Sequence, residues 1–446
     1  MQLDQITYQN FRSFKQATLR LHKHLTVIVG ANGAGKTASM EGIAVAMGTF
    51  IGSFDEAKGS GFKTSDAHRL RLNPDSPDCE PQYPITISAI GSLQPEHEQQ
   101  EWSRSLTGKK SSTTTGDAKY ATETAKQLQN GVRNNSTDPL PVVALYGAGR
   151  LWGANRLTKT KRQTLSESRT LGYHESMNPV SGYKEFAYWF KQLFQAHLQL
   201  KMEKMQQGSS DLSTPYDATI HVVQETVDKL LAHTGWHSVM YDAAMDEIAA
   251  EHPDIGRMPV SMLSDGVRNV LGLAADIAFR CCKLNPQFKE AAAQKTRGLV
   301  MIDEVDMYLH PSWQQTLVDS LRDAFPAIQF ILTTHSPHVL STVASESIRI
   351  LDNGVFYDAP LGTKGAEASR ILDRVFHVKS RPEHDPNTLL LKEYLDLVYA
   401  DKWSSKAALD KRQKLDEIFQ GEEPALLEAD LYIENRQWEL DGEEDQ

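Results

Sequence analysis

Cysteine, membrane-length apolar runs and net positive charge are all scarce in this 446-residue chain, and each scarcity removes a class of protein. Three cysteines (Cys79, Cys281 and Cys282) cannot form a disulfide framework, and the adjacent pair, in a helical pattern, reads as small buried residues. No apolar run approaches the ~18 residues a membrane helix needs. The opening MQLDQITYQNFRSF holds no hydrophobic targeting segment, so no membrane association and a cytoplasmic location are expected. Basic residues number 47 against 58 acidic ones, a net charge of −11, which argues against a wholly basic nucleic-acid binder but leaves local patches open. Heptads and fixed-period repeats are missing too, which counts against coiled-coil arms and solenoids. The remaining composition, 40% apolar and 24% charged, suits one large α/β domain with insertions or two to three domains.

What is present begins at VIVGANGAGKTASM, residues 27 to 40. Gly30 to Thr37 fits G-x-x-x-x-G-K-[ST] without a mismatch. Glycines allow several backbone N–H groups to point at one phosphate. The stretch Asn32-Gly33-Ala34-Gly35-Lys36-Thr37-Ala38 is therefore expected to surround a nucleoside triphosphate, ATP, with Lys36 on its phosphates and the Thr37 hydroxyl on Mg²⁺. A buried strand (LTVIVG) precedes the loop, and a helix (KTASMEGIAVAMGTF) follows with its positive end toward the anion.

Four later features define the machine. GLVMIDEVDMYLHP reads as a buried strand ending in Asp303, a Mg²⁺ ligand, and Glu304, which polarises the attacking water. QFILTTHSP reads as another buried strand, presenting His335 to the γ-phosphate. SMLSDGVRNVLGLAADIAFR places Ser264 and Gly266 at the start of an amphipathic helix, with Ser264 as N-cap. NFRSF, ahead of the P-loop strand, puts Arg12 near the nucleotide. The catalytic candidates are Lys36, Glu304 and His335.

In this order the motifs resemble the ABC-type ATPases of the SMC/RecF/OLD branch over residues 1–50 and 260–345. The resemblance implies an ABC-type P-loop ATPase head: a mixed α/β sheet flanked by helices, an antiparallel β subdomain, a helical insertion and a helical C-terminal extension. It further implies a homodimer whose heads sandwich two ATP molecules, each held by one subunit's P-loop and the other's Ser264 and Gly266. LSDGV departs from the branch signature L-S-G-G-Q, which bears on hydrolysis rate, and Gln82 is the candidate for its Q-loop glutamine.

The expected division is residues 1–150, first ATPase lobe with β subdomain; 151–258, basic loop and helical insertion; 259–360, second lobe; 361–446, helical extension with an acidic tail. Residues 183–250 read as largely helical, and Arg150, Arg156, Lys159, Lys161, Arg162 and Arg169 form either a nucleic-acid patch or a solvated loop. A transporter ATPase is disfavoured because no coupling region lies between Thr37 and Ser264, and a repair ATPase of RecF/SMC type because the insert is short. GTKGAEASRILDRVFHVKSRP, YGAGRLW and the helical tail resemble the PtuA family, ATPases of Septu and retron-associated anti-phage systems. That resemblance implies a higher oligomer, an HNH nuclease subunit (PtuB-like), and, beside a retron, a reverse transcriptase with its msDNA. The helical insert or tail is then either a docking surface or packing within the oligomer.

Overall fold

The computed structural model describes residues 1–71, 78–95, 98–150, 168–179 and 183–444. They divide into two compact units, Met1–Ile371 and Leu372–Gln446.

The first unit opens with β1 (Gln2–Phe11) and β2 (Phe14–Arg20), an antiparallel pair that turns at Arg12 and Ser13. β3 (Leu25–Val29), buried at every position, feeds through the glycine loop into α1 (Lys36–Ile51). Beyond the short ladder of β4 (Arg69–Leu70) and β5 (Glu80–Pro81), strands β6 (Ile85–Ser92) and β7 (Gln100–Leu106) complete an antiparallel sheet ordered β2-β1-β6-β7. This sheet packs on α1. Gly42 of α1 leaves room for the Tyr8 ring, which a Cβ there would meet at 2.5 Å, and the Tyr8 hydroxyl donates to the Ser39 carbonyl at 2.9 Å. Beside α1, α2 (Lys119–Arg133) turns Ala121, Ala125 and Leu128 inward.

β8 (Val142–Tyr146) starts the second half. It is followed by α3 (Tyr183–Gln206), α4 (Asp217–Leu231), β9 (His237–Asp242), β10 (Glu247–His252), β11 (Gly256–Pro259) and α5 (Asp265–Leu284). Then come α6 (Ala292–Lys295), β12 (Gly298–Ile302), α7 (Pro311–Ala324), β13 (Ile328–Thr333), α8 (Pro337–Leu340), β14 (Ile348–Asp352) and β15 (Val355–Asp358). The main sheet runs β15-β14-β3-β13-β12-β8. Pairings from β14 through β8 are parallel, while β15 returns antiparallel through Asn353-Gly354, whose φ angles of 47° and 76° suit a hairpin turn. Parallel strands covered on both faces must be apolar throughout, and Leu299-Val300-Met301-Ile302 and Phe330-Ile331-Leu332 are buried. Their carboxyl ends share one edge of the sheet, the usual place for a ligand in such sheets.

This is the expected fold class: a mixed sheet flanked by helices with an antiparallel subdomain. One expectation is corrected for residues 183–250. α3 and α4 are helical, but β9 and the start of β10 are strands, and with β11 beyond that range they form a three-stranded antiparallel sheet. Alanines at 243, 244, 249 and 250 suggest a helix, yet Asp242 Oδ1 accepts the Ala244 and Met245 N–H groups at 2.8 and 3.2 Å and bends the chain into a hairpin.

In the second unit α10 (Pro386–Tyr399), α11 (Lys406–Phe419) and α12 (Pro424–Glu444) surround Leu391, Tyr394, Val398, Ala408, Leu415, Leu426 and Ala429. They follow α9 (Ala368–Arg374), which crosses the boundary between the units. Asp385 and Ser405 cap α10 and α11, and Arg412 joins α11 to Asp430 of α12 at 2.8 Å. No helix among the described residues is long and apolar enough to cross a membrane.

Candidate nucleotide-binding site

Glycine geometry shapes the loop between β3 and α1. Gly33 and Gly35 take φ angles of 80° and 112°, backbone that other residues adopt only under strain. At Gly35 a Cβ would also lie 2.3 Å from Ser13 Oγ, so the β1–β2 turn closes directly on the loop. α1 then begins at Lys36 with no acid in its first turn, leaving its N–H groups and positive end for an anion. Asn32, Gly33 and Ala34 form the outer arc, and Thr37 and Ala38 the first helical turn. The Lys36 ammonium donates to the carbonyls of Gly30 and Ala31 at 3.0 and 3.1 Å. Burial holds its pKa below the usual lysine value, against the pull of Asp303, Glu304 and Asp306, so four charged groups share one site.

β12 delivers the acids. Asp303 is buried, its N–H donates to the Tyr146 carbonyl at 2.8 Å, and its Oδ2 accepts the Thr37 hydroxyl at 2.7 Å. Thr37 and Asp303 thus bring together two hard oxygen donors from residues 266 apart. Such donors fit Mg²⁺, which prefers one or two protein oxygens together with phosphate and water. Once held there, the cation would neutralise phosphate charge. Thr333, at the end of β13, donates to Asp303 Oδ1 at 2.5 Å and accepts the Glu304 N–H at 2.7 Å. Glu304 has a φ of 48°, costly for a non-glycine, and this breaks the strand alternation that would send adjacent side chains to opposite faces.

His335 sits between two anchors. Thr334 Oγ1 donates to Asp306 Oδ1 at 2.5 Å, and Ser336 Oγ, the N-cap of α8, donates to Gln314 Oε1 at 2.6 Å. Burial and then Lys36 hold the His335 pKa below 6.5, while Asp306, Glu304 and Asp303 raise it. The free protein therefore carries a neutral imidazole here at pH 7.

Ser264 caps α5, accepting the Val267 N–H at 3.5 Å. Gly266 is needed for contact, since a Cβ would lie 2.5 Å from the Tyr308 carbonyl in the turn after Asp303 and Glu304. Among the described residues no hydrogen bond joins Ser264 or Gly266 to the chain's own P-loop. Lys36, Thr37, Asp303, Glu304 and His335 come together, and the signature meets the turn after them through Gly266 and Asn269.

Arg12 is differently engaged from a free phosphate ligand. Its Nε donates to Asp66 Oδ1 at 2.9 Å and its guanidinium also pairs with Glu41. Beside it lies an open groove of about 490 Å³ lined by Arg12, Ser65, Asp66, Ala67, His68 and Arg69. Gln82 spends its side-chain amide on the Glu80 carbonyl at 3.0 Å, next to the β4–β5 ladder rather than at a core strand end. Arg156, Lys159, Lys161 and Arg162 lie outside the described residues, as does the Arg150 side chain. Arg169 donates to the carbonyls of Leu284, Ser136 and Asp138 at 2.8–2.9 Å, which makes it a brace. Sequence reasoning missed Thr333, Asp306 and Tyr146; only the doubled hydroxyl of TTH offered a signal for the first.

An AAA domain family model matches residues 5–214. A second AAA-domain model, whose description also names AbiEii toxin and a Type IV TA system, matches residues 159–341. The chain is 38% identical over 228 residues to the Retron Ec83 probable ATPase of Escherichia coli, covering 51% of this chain and 41% of that protein. It is 41% identical over 145 residues to the Retron Vc95 probable ATPase of Vibrio cholerae serotype O1 biovar El Tor (30% and 27%). Septu protein PtuA of Bacillus thuringiensis is 32% identical over 111 residues (23% and 26%). The chain thus matches less than half the length of these curated relatives. Among solved structures, an SMC head bound to the C-winged helix domain of ScpA is similar at 15% identity and a TM-score of 0.48, over 81% of this chain and 98% of that one.

Proposed function

We propose, from the premise that this chain carries AAA-type ATPase domains and is homologous to the retron ATPases and to Septu PtuA, that it is the ATP-driven regulatory subunit of an anti-phage complex. Lys36 and the loop N–H groups hold the phosphates, Thr37 and Asp303 hold Mg²⁺, Glu304 orients the attacking water and His335 meets the γ-phosphate. The observation that carries this reading is the 2.7 Å Thr37–Asp303 contact beneath Glu304. Ser264 and Gly266 make no hydrogen bond to their own P-loop among the described residues, which fits a head-to-tail dimer in which each signature completes the other subunit's site. ATP then acts as a clamp, closed by the γ-phosphate and released by hydrolysis.

The clamp's output is an associated nuclease of HNH type, with a reverse transcriptase and msDNA in a retron setting. The retron and Septu names of the relatives support this. So does α12, where Leu427, Leu431 and Trp438 are 54%, 60% and 84% exposed at helical spacing on an acidic helix. On this reading, residues 1–150 and 259–360 are the ATPase lobes, 151–258 the insertion and 361–446 the docking extension. The test is to purify the protein from its own operon with and without ATP. Recovery of a nuclease subunit, lost with Lys36→Ala, supports the reading; recovery of a permease or of no protein overturns it.

A further inference from the structure

Tyr146 lies where two functional elements meet. Its carbonyl, at the end of β8, accepts the N–H of Asp303 at 2.8 Å. Its hydroxyl donates at 2.6 Å to Oδ2 of Asp276, in the middle of α5. The same oxygen accepts Arg280 Nε at 2.8 Å, and Arg280 Nη1 holds the carbonyls of Gly172 and His174 at 2.8 and 3.0 Å. Tyr146, Asp276 and Arg280 are all at most 3% exposed. Burial and the Asp276 carboxylate push the Tyr146 pKa well above 10, so the hydroxyl remains a donor.

Two features set this network apart from ordinary packing. Asp276 Oδ1 is buried without a hydrogen-bond partner, so one carboxylate oxygen carries both donors while the other has none. A network serving stability alone would satisfy both oxygens. The second feature is its position. Ser264 caps the start of α5, and Asp276 stands 12 residues further on, about 18 Å along a helix rising 1.5 Å per residue. A helix of that length moves as a rod. β8 itself is held on its outer side, with Leu145 N donating to Ser176 O at 2.8 Å and Gly147 N to Pro179 O at 3.0 Å.

We infer that Tyr146 is a positioning residue that couples the metal carboxylate of a subunit's own site to the signature helix it offers to its partner. The inference rests on the dimer reading above. A displacement of Asp303 as Mg²⁺–ATP binds passes through the Tyr146 backbone to its hydroxyl, and from there to Asp276 and the α5 axis. Occupancy of one site thereby adjusts Ser264 at the other.

The test compares the full-length protein with Tyr146→Phe, which keeps ring and backbone and removes only the hydroxyl. Light scattering with Mg²⁺–ATP reports dimer formation, calorimetry the first-site affinity, and hydrolysis against ATP concentration the Hill coefficient. Tyr146→Phe is expected to dimerise and to bind the first ATP within about twofold of wild type, while its Hill coefficient falls below that of wild type. Asp276→Asn, which keeps an acceptor for the hydroxyl, is expected to retain cooperativity. An unchanged Hill coefficient in Tyr146→Phe overturns the coupling and leaves the dimer standing. Equal loss of affinity and thermal stability with cooperativity intact makes Tyr146 a packing residue. A wild-type protein that stays monomeric with ATP overturns the reading beneath both.

Discussion

Thr333→Val isolates the least conspicuous part of the proposed metal site. The side chain is 0% exposed, and its hydroxyl serves two neighbours, donating to Asp303 Oδ1 at 2.5 Å and accepting Glu304 N–H at 2.7 Å. Valine keeps the shape and the strand preference while removing both bonds. A hydrogen bond to a charged group contributes about 1.5–3 kcal/mol, and one to a neutral amide about 1 kcal/mol. The protein should therefore lose about 2.5–4 kcal/mol of stability. Removing a group that orients a metal ligand usually weakens metal affinity roughly 10- to 100-fold, and the hold of Asp303 on Mg²⁺ is expected to fall in that range. The assay is turnover at saturating ATP against Mg²⁺ concentration, alongside thermal melts. The half-saturating Mg²⁺ should rise by that factor with the maximal rate partly recovered at high Mg²⁺. A melt shifted downward with half-saturation within about twofold of wild type would refute the reasoning and leave Thr333 a purely structural residue.

Other expectations concern single groups. Glu304→Gln should bind ATP, hydrolyse it slowly and accumulate as closed dimer, and a wild-type turnover rate would remove Glu304 from water activation. Gly266→Ala places a Cβ 2.5 Å from the Tyr308 carbonyl, so α5 must lift from that turn; ATP-driven dimerisation should weaken while a monomer's ATP affinity holds, which light scattering and calorimetry separate. The His335 pKa is below 6.5 in the folded protein, whereas the unfolded chain takes its proton near 6.5. Below that pH the unfolded state binds the additional proton, so the free protein loses stability as pH falls through this window. A γ-phosphate raises the same pKa, so ATP binding near pH 6 should take up a proton, seen as buffer-dependent binding heat in wild type and not in His335→Asn.

How much of this was legible in the sequence follows distance along the chain. The P-loop, the Asp303-Glu304 strand end, the His335 strand end and the Ser264 helix start are local patterns in which a few adjacent residues carry both fold and chemistry. α10 and α11 were legible for the same reason, from apolar spacing. The bond from Thr333 to Asp303 spans 30 residues and that from Tyr146 to Asp276 spans 130, and both depend on which strand lies beside which. No local period encodes that adjacency. Arg12 was read from the sequence as lying near the nucleotide; its pairing with Asp66 and Glu41 could be seen only in the fold. The sheet of β9, β10 and β11 was missed because Ala243, Ala244, Ala249 and Ala250 suggest a helix until the Asp242 turn is seen.

The position of β13 between β3 and β12 also bears on the protein's birth. β3 has Leu25 opposite Phe330, so the first phosphate-binding strand finds its neighbour only after some three hundred further residues have left the ribosome. At 5–20 residues per second that interval is about 15–60 s. Throughout it LTVIV must be sheltered by chaperones or by its own antiparallel strands, and no truncated nascent chain has a complete ATP grip.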